Sequence, residues 1–212
     1  MFLNGMRVDK IAVGQLEVNC FIVSDESAEA MVIDPGDEAD RILRTIEELD
    51  LRPRYILFTH AHYDHVCAGG DLKNKYGASI VMHEDERSTY LATEDLCISW
   101  GYAPEDFPPP DILVKDGDSI TLGGIVFKIL HTPGHTPGGM CLYGNKTLFT
   151  GDTLFRGAAG RTDLPGGDMG SLGNSLDKIL TLPSDTRVLC GHGEETTLAF
   201  ERKHNPFLSG RR

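Results

Sequence analysis

Three imidazoles and a carboxylate stand within six residues, His60-Ala61-His62-Tyr63-Asp64-His65, a density of metal-binding side chains that packing alone does not call for. In extended chain the side chains at i and i+2 project to one side, so His60 and His62 can share a cation. A turn into a helix would aim Asp64 and His65 at a neighbouring position, and the spacing suits two metal positions better than one. Further donors sit in glycine-flanked turns: His135 in Thr132-Pro133-Gly134-His135-Thr136-Pro137-Gly138, Asp152 in Phe149-Thr150-Gly151-Asp152-Thr153, and His192 in Cys190-Gly191-His192-Gly193. Each follows a strand-like run, so short loops could bring all seven side chains to one sheet edge. A lone histidine after a strand is more often structural than a ligand. Five of the eight histidines in such turns is a pattern which that reading does not cover. His131, close to His135, is the one rival ligand; ending a strand, it is read as a support for the ligands.

Two divalent cations a few ångströms apart would leave a shared water as hydroxide near neutral pH, and one of them would polarise a carbonyl and its oxyanion. Zinc is the expected metal, with iron or manganese as alternatives. Asp64, a ligand that can also act as a base, is the candidate catalytic residue, orienting the nucleophilic water or accepting its proton. A thiolate leaves without an acid, since a thiol has a pKa of about 8.5. An amide would need one, and the sequence offers no clear candidate, so thioesters or other activated esters fit best.

The elements that must position these residues are legible as short β-branched runs at 19–23, 30–34, 55–59, 79–82, 125–130, 139–143, 147–150 and 187–190. Helical stripes lie between them. Ala39, Ile42, Leu43, Ile46 and Leu49 mark one ending before Pro53; one helix is expected from Asp64 to Tyr76; Leu172, Leu176, Ile179 and Leu180 mark another; Glu194 to Lys203 reads as the last. Hairpin-like turns are expected at Asp116-Gly117-Asp118, Gly123-Gly124 and Gly144-Asn145. This alternation predicts a mixed, layered α/β architecture, two sheets sandwiched between helices. Thr93 to Pro110, with Trp100 and three consecutive prolines, reads as an irregular insertion or a lid over a site.

At 212 residues the chain suits a single domain over 1–212. A net charge of -12 disfavours nucleic acid, whose phosphates call for a basic face. No apolar run reaches the roughly 20 residues of a membrane span, and no secretory leader is visible in Met1 to Lys10, so no membrane partner and a cytoplasmic location are expected. Five cysteines, without a CxxC pair, read as reduced core residues rather than a disulfide framework or thiolate site. The oligomeric state is not legible.

The motifs THAHYDH, TPGHT, TGDTLF and CGHG, in this order, resemble the metallo-β-lactamase superfamily and its small glyoxalase II-like hydrolases. The resemblance implies a four-layer αββα sandwich, with His60, His62 and His135 on one metal, Asp64, His65 and His192 on the other, and Asp152 bridging both. It implies that Asp34, in Val32-Ile33-Asp34-Pro35-Gly36, supports the ligands from behind, the plain alternative being a turn-forming Asp. The glycine-rich loop from Phe155 to Asp168 follows Asp152, and Arg161 there either receives a substrate carboxylate in bidentate fashion or pairs with Asp163 or Asp168 to stiffen the loop. In the glyoxalase II resemblance, a basic residue at this position contacts glutathione, which makes a hydroxyacylglutathione thioester the expected substrate.

Two departures bear on that substrate. Glyoxalase II proper carries a helical C-terminal domain, whereas 20 residues follow His192 here, and Gly193-Glu194-Glu195 stand where that family has a tyrosine. Gly160-Arg161-Thr162-Asp163 also resembles persulfide dioxygenases, which keep this ligand set but use one iron on the counterparts of His60, His135 and Asp152. A non-catalytic module with a structural metal is the remaining alternative, and seven His/Asp donors exceed the four that such a site needs.

Overall fold

The computed structural model describes residues 5–99 and 107–210. The chain opens with β1 (Met6–Val13), β2 (Val18–Asp25) and β3 (Glu29–Ile33), followed by helix α1 (Ala39–Glu48) and strand β4 (Arg52–Leu57). After β4 come α2 (Tyr63–Val66), α3 (Gly69–Tyr76), β5 (Ser79–His83), a 3-10 turn at Glu84–Glu86, α4 (Arg87–Ser99) and β6 (Ile112–Val114). These six strands form one sheet in sequence order, antiparallel from β1 to β3 and parallel from β3 to β6.

The second half supplies β7 (Ser119–Leu122), β8 (Ile125–His131), β9 (Met140–Gly144), β10 (Thr147–Gly151), a small hairpin of β11 (Leu154–Phe155) and β12 (Ala158–Ala159), α5 (Met169–Ile179), β13 (Arg187–Cys190), β14 (Thr196–Thr197) and α6 (Leu198–His204). The second sheet has the order β14-β13-β10-β9-β8-β7, with β10 and β13 parallel and the other pairs antiparallel.

Strand alternation builds three apolar layers from these two sheets. Phe21, Val23, Met31, Ile33 and Leu57 of the first sheet meet Phe127, Ile129, Leu142, Phe149 and Leu189 of the second in the central core. Their neighbours Cys20, Ile22, Val32 and Ile56 face outward onto Ile42 and Ile46 of α1, Leu72 of α3 and Tyr90 of α4. On the far side Cys141, Leu148 and Val188 pack against Leu172, Leu176 and Ile179 of α5 and Leu198 of α6. The result is the αββα sandwich the motifs imply. No helix among the described residues is long and apolar enough to cross a membrane.

Several boundaries differ from the sequence reading. The helix expected from Asp64 to Tyr76 is two helices, because Ala68 N–H bonds to Pro35 O at 3.0 Å instead of continuing the ladder. The chain at Gly36 crowds the Asp64 carbonyl that Ala68 would otherwise use; a Cβ there would lie 1.5 Å from that oxygen. Asp64 and His65 therefore occupy a short turn of their own. Thr93–Ser99, expected to be irregular, is the end of α4, whose Tyr90, Thr93 and Cys97 form a buried stripe. Trp100 and the rest of 100–106 lie outside the described residues. Asp116-Gly117-Asp118 turns the chain from β6 in one sheet to β7 in the other rather than closing a hairpin, whereas Gly123-Gly124 and Gly144-Asn145 do close hairpins. The last helix starts at Leu198 because Thr196 and Thr197 pair with Val188 and Arg187.

Candidate metal centre

The strand ends carry the chemistry. Beyond β4, His60 is buried and extended chain leads to His62, which caps α2 with φ −67° and ψ 150°. His60 and His62 lie edge to face with ring centroids 4.8 Å apart, and His135, from the loop after β8, completes a triangle at 4.8 and 4.7 Å. Within the short α2, Asp64 and His65 turn to the other side and meet His192 from the loop after β13. His192 Nε2 lies 3.3 Å and His65 Nε2 3.6 Å from Asp64 Oδ2. Asp152, just past β10, faces both groups: Oδ1 lies 3.5 Å from His65 Nε2, and Oδ2 lies 3.6 Å from both His135 Nε2 and His192 Nε2. All seven residues singled out in the sequence converge.

Apart from the 3.3 Å contact of His192 with Asp64, those separations exceed direct hydrogen bonds, and all of them fit a shared cation. Donors at about 2.0–2.1 Å in a tetrahedron lie roughly 3.3–3.4 Å from one another. The Nε2 atoms of His60, His65 and His135 and Oδ1 of Asp152 are buried without a hydrogen-bond partner, which is costly unless a cation takes the lone pairs. The opposite ring nitrogens are engaged. His135 Nδ1 is 2.8 Å from Arg161 O, His192 Nδ1 is 2.9 Å from Leu16 O, and His65 Nδ1 is 3.1 Å from Asp34 Oδ2. Nδ1–H donation from His135 and His192 to those carbonyls leaves their Nε2 atoms as donors toward metal, while His65 Nδ1 faces the Asp34 carboxylate as an ion pair. The residues present therefore fit a pair of divalent cations, one per triad, with Asp152 between them.

Residues 13–192 match the metallo-beta-lactamase superfamily model. The chain belongs to the metallo-beta-lactamase superfamily. It is 39% identical over 211 residues to the hydroxyacylglutathione hydrolase GloC of Haemophilus influenzae, an alignment covering 97% of this chain and all of that one. Among solved structures it is similar to the BLEG-1 B3 metallo-beta-lactamase (37% identity, TM-score 0.87, 96% of this chain and 100% of that one). TTHA1623 in a di-iron-bound form matches at 38% identity and TM-score 0.85, over 95% and 100% of the two chains. ETHE1 from Myxococcus xanthus matches at 30% identity and TM-score 0.81, over 96% and 85%.

In this superfamily member Asp34, in left-handed backbone at φ 52°, sits behind the ligands. Besides facing His65, its buried carboxylate accepts hydrogen bonds from Thr59 N–H and Thr59 Oγ1, both at 2.7 Å. It faces His65 and pins the strand end that carries His60, contacts beyond those of a turn-forming Asp. Burial pushes His60 well below its ordinary value, and the imidazoles around it push the same way. Burial and the neighbouring His135 and His65 bring His62 down to about 4. Burial raises Asp152, and it would raise Asp64 too, but the hydrogen bond with His192 and the charge of His65 outweigh it and hold Asp64 at about 2. Neutral His60 and His62 beside an ionised Asp64 are the protonation states that metal binding needs. At His65 and His192 burial is outweighed by the surrounding carboxylates, which push those two rings up, so each must give up its proton to bind metal.

Arg161 meets the candidate ligands through its backbone carbonyl. Its guanidinium grips Asp163 with two bonds of 2.7 and 2.8 Å in an exposed pair, while its carbonyl holds His135. Asp168 instead caps α5, accepting from Ser171 N–H. His131 Nε2 lies 2.9 Å from Pro137 O, and its ring stacks on His83 at 3.9 Å and 13°. His131 thus groups with His83 and Asp85 rather than with the seven candidate ligands, and it meets the His135 loop through Pro137 O.

Two residues escaped the sequence reading. Asn19 donates through Nδ2 to Cys190 O and Gly193 O, holding the turn that carries His192. Glu86 is fully buried and reaches two ligand loops at once. Their signals are long-range contacts, invisible to any local pattern. Two clefts flank the metal centre. One of about 320 Å³ runs from Asp64 along Tyr63, Gly36, Gln15 and Leu16; the other, about 310 Å³, runs from His62 along Ala92, Leu96, Pro137 and Pro165.

Proposed function

We propose that this chain hydrolyses acyl thioesters, of the hydroxyacylglutathione type, with two divalent metal ions, zinc before iron or manganese, held by His60, His62 and His135 on one side, Asp64, His65 and His192 on the other, and Asp152 between. The observation that carries the reading is the Asp152 carboxylate, whose oxygens face His65, His135 and His192 at 3.5–3.6 Å. A single-cation site does not need a carboxylate so shared. The likeness to GloC over 97% of this chain and all of that one supports the thioester class.

When bound, the cation pair supplies a deprotonated water near neutral pH and a Lewis acid for the substrate carbonyl. Asp64 stays ionised and accepts a hydrogen bond from the nucleophilic water, orienting it toward the carbonyl carbon. The Arg161 and Leu16 carbonyls hold the His135 and His192 rings in place through the reaction. The two clefts leave the centre on opposite ligand sides, room for the acyl and thiol arms of a thioester. Departure as thiolate needs no proton donor from the protein. Five buried free thiols and a glutathione-derived substrate both suit the reducing cytoplasm.

The Gly160-Arg161-Thr162-Asp163 stretch favours a second reading, a glutathione persulfide dioxygenase with one iron on His60, His135 and Asp152. One experiment separates them: elemental analysis of freshly purified protein beside lactoylglutathione hydrolysis and oxygen uptake with glutathione persulfide. Two metal ions with hydrolysis and no oxygen uptake is the expected result. One iron with oxygen uptake overturns the hydrolase reading.

A further inference from the structure

The turn Glu84–Glu86 follows β5 and lines neither of the two clefts, yet its last side chain is buried at 0% exposure between two ligand loops. Glu86 Oε1 accepts from Ala61 N–H at 2.9 Å, the amide between His60 and His62. Oε2 accepts from Thr136 Oγ1 at 3.0 Å and from Gly138 N–H at 2.6 Å, in the loop that carries His135. One carboxylate thus ties together the backbones presenting His60, His62 and His135. The turn cannot drift: His83, just before it, stacks on His131, which in turn meets Pro137 O. The other triad has different supports, Asp34 behind His65 and Leu16 O behind His192.

We infer that Glu86 is a positioning residue for one metal position only, setting the affinity of the three-histidine site, whereas Asp34, which faces His65 and also holds Thr59 beside His60, reaches both positions. This rests on the two-metal reading above. A buried carboxylate that fixes ligand-bearing loops acts on metal affinity as an outer partner of the ligands, and loss of such a partner weakens binding about 10- to 100-fold. Glu86→Gln keeps the shape and removes one acceptor. Whichever way the amide turns, its NH2 faces a backbone N–H, of either Ala61 or Gly138, and that contact becomes repulsive. Asp34→Asn is the comparison that reaches both positions, since Asn tolerates left-handed backbone and its NH2 replaces an acceptor facing Thr59 Oγ1 beside His60 and Nδ1 of His65.

The test is cobalt(II) titration of chelator-treated full-length protein, followed by visible absorption and by elemental analysis, for wild type, Glu86→Gln and Asp34→Asn. Wild type should take up two equivalents. Glu86→Gln should weaken one equivalent about 10- to 100-fold and leave the other at its wild-type affinity. Asp34→Asn should weaken both equivalents, so that selective loss of one is confined to Glu86→Gln. Equal weakening of both equivalents by Glu86→Gln, or a fall in melting temperature with both affinities unchanged, overturns the assignment and leaves Glu86 a structural residue. If Glu86→Gln does not fold, Thr136→Val, which removes one bond to Oε2, should produce a smaller loss in the same equivalent, and unchanged affinities there overturn the assignment equally. A single equivalent in wild type refutes the two-metal reading instead. Glu86→Gln should still weaken that equivalent if it lies on the three histidines.

Discussion

Gly191→Ala would press a methyl group between Asp152 and His65 without removing any ligand. An added Cβ would lie 2.2 Å from Asp152 Oδ1 and 2.9 Å from His65 Cε1. Contact distances near 3.3–3.6 Å leave the oxygen roughly 1 Å too close. Gly191 is absent from the glycines with positive φ, so alanine meets no backbone penalty and the effect is steric. The methyl has no open side to move into, since Gly151 C lies 3.2 Å away. Overpacking of this kind costs about 1–3 kcal/mol, a fall of roughly 2–12 °C in melting temperature for a domain of this size. A 1 Å displacement of a catalytic group costs on the order of 10²-fold in rate. Because Asp152 faces both triads, both metal equivalents should weaken together. The assay is kcat/KM on a thioester with metal content measured on the same samples, and Gly124→Ala, where nothing lies within 4 Å, is the control. Gly191→Ala with wild-type activity and metal content would refute the close packing on which the shared carboxylate depends.

Asp152→Ala and His65→Ala should lower thioester hydrolysis by orders of magnitude and leave the circular dichroism of the fold intact; near-wild-type activity in metal-replete Asp152→Ala would overturn the bridging role. Arg161→Ala should raise KM for carboxylate-bearing thioesters and spare neutral esters, whereas an equal rise for both assigns the guanidinium to stiffening the loop through Asp163. For the metal-free protein, urea midpoints should peak near pH 6.5. His62 falls to about 4 from its ordinary 6.5, so the unfolded chain binds more protons between those values and stability drops on acidification. Burial would lower His65, but Asp152 and Asp34 outweigh it and bring it to about 9, so its contribution is full below 6.5 and lost as pH rises through about 9. Metal should flatten the alkaline limb by holding His65 Nε2 deprotonated; a metal-free midpoint unchanged from pH 4 to 9 would contradict these shifts.

The ligands were legible because metal chemistry restricts residue type, spacing and glycine-flanked turns all at once, and no packing role demands that combination. The strands of the two central layers were legible for a related reason: runs such as 19–23 and 147–150 are buried on both faces and read as continuous apolar segments. β1 escaped because Met6–Val13 is an edge strand with a half-exposed pattern, and its Lys10, Asp9 and Arg7 hide the alternation. α4 escaped although Tyr90, Thr93 and Cys97 are helically spaced, since the tryptophan and prolines beyond it dominate the local reading. Glu86 and Asn19 could not be seen, because what defines them is contact with residues 25 to 174 positions away.

Anomalous diffraction from crystals of the metal-loaded protein, recorded at the zinc and iron edges, tests the central claim most directly. Two peaks are predicted, one within reach of His60, His62 and His135 and one within reach of Asp64, His65 and His192, with the Asp152 carboxylate between them. A single peak on His60, His135 and Asp152, with Asp64 and His192 bound to nothing, would contradict it.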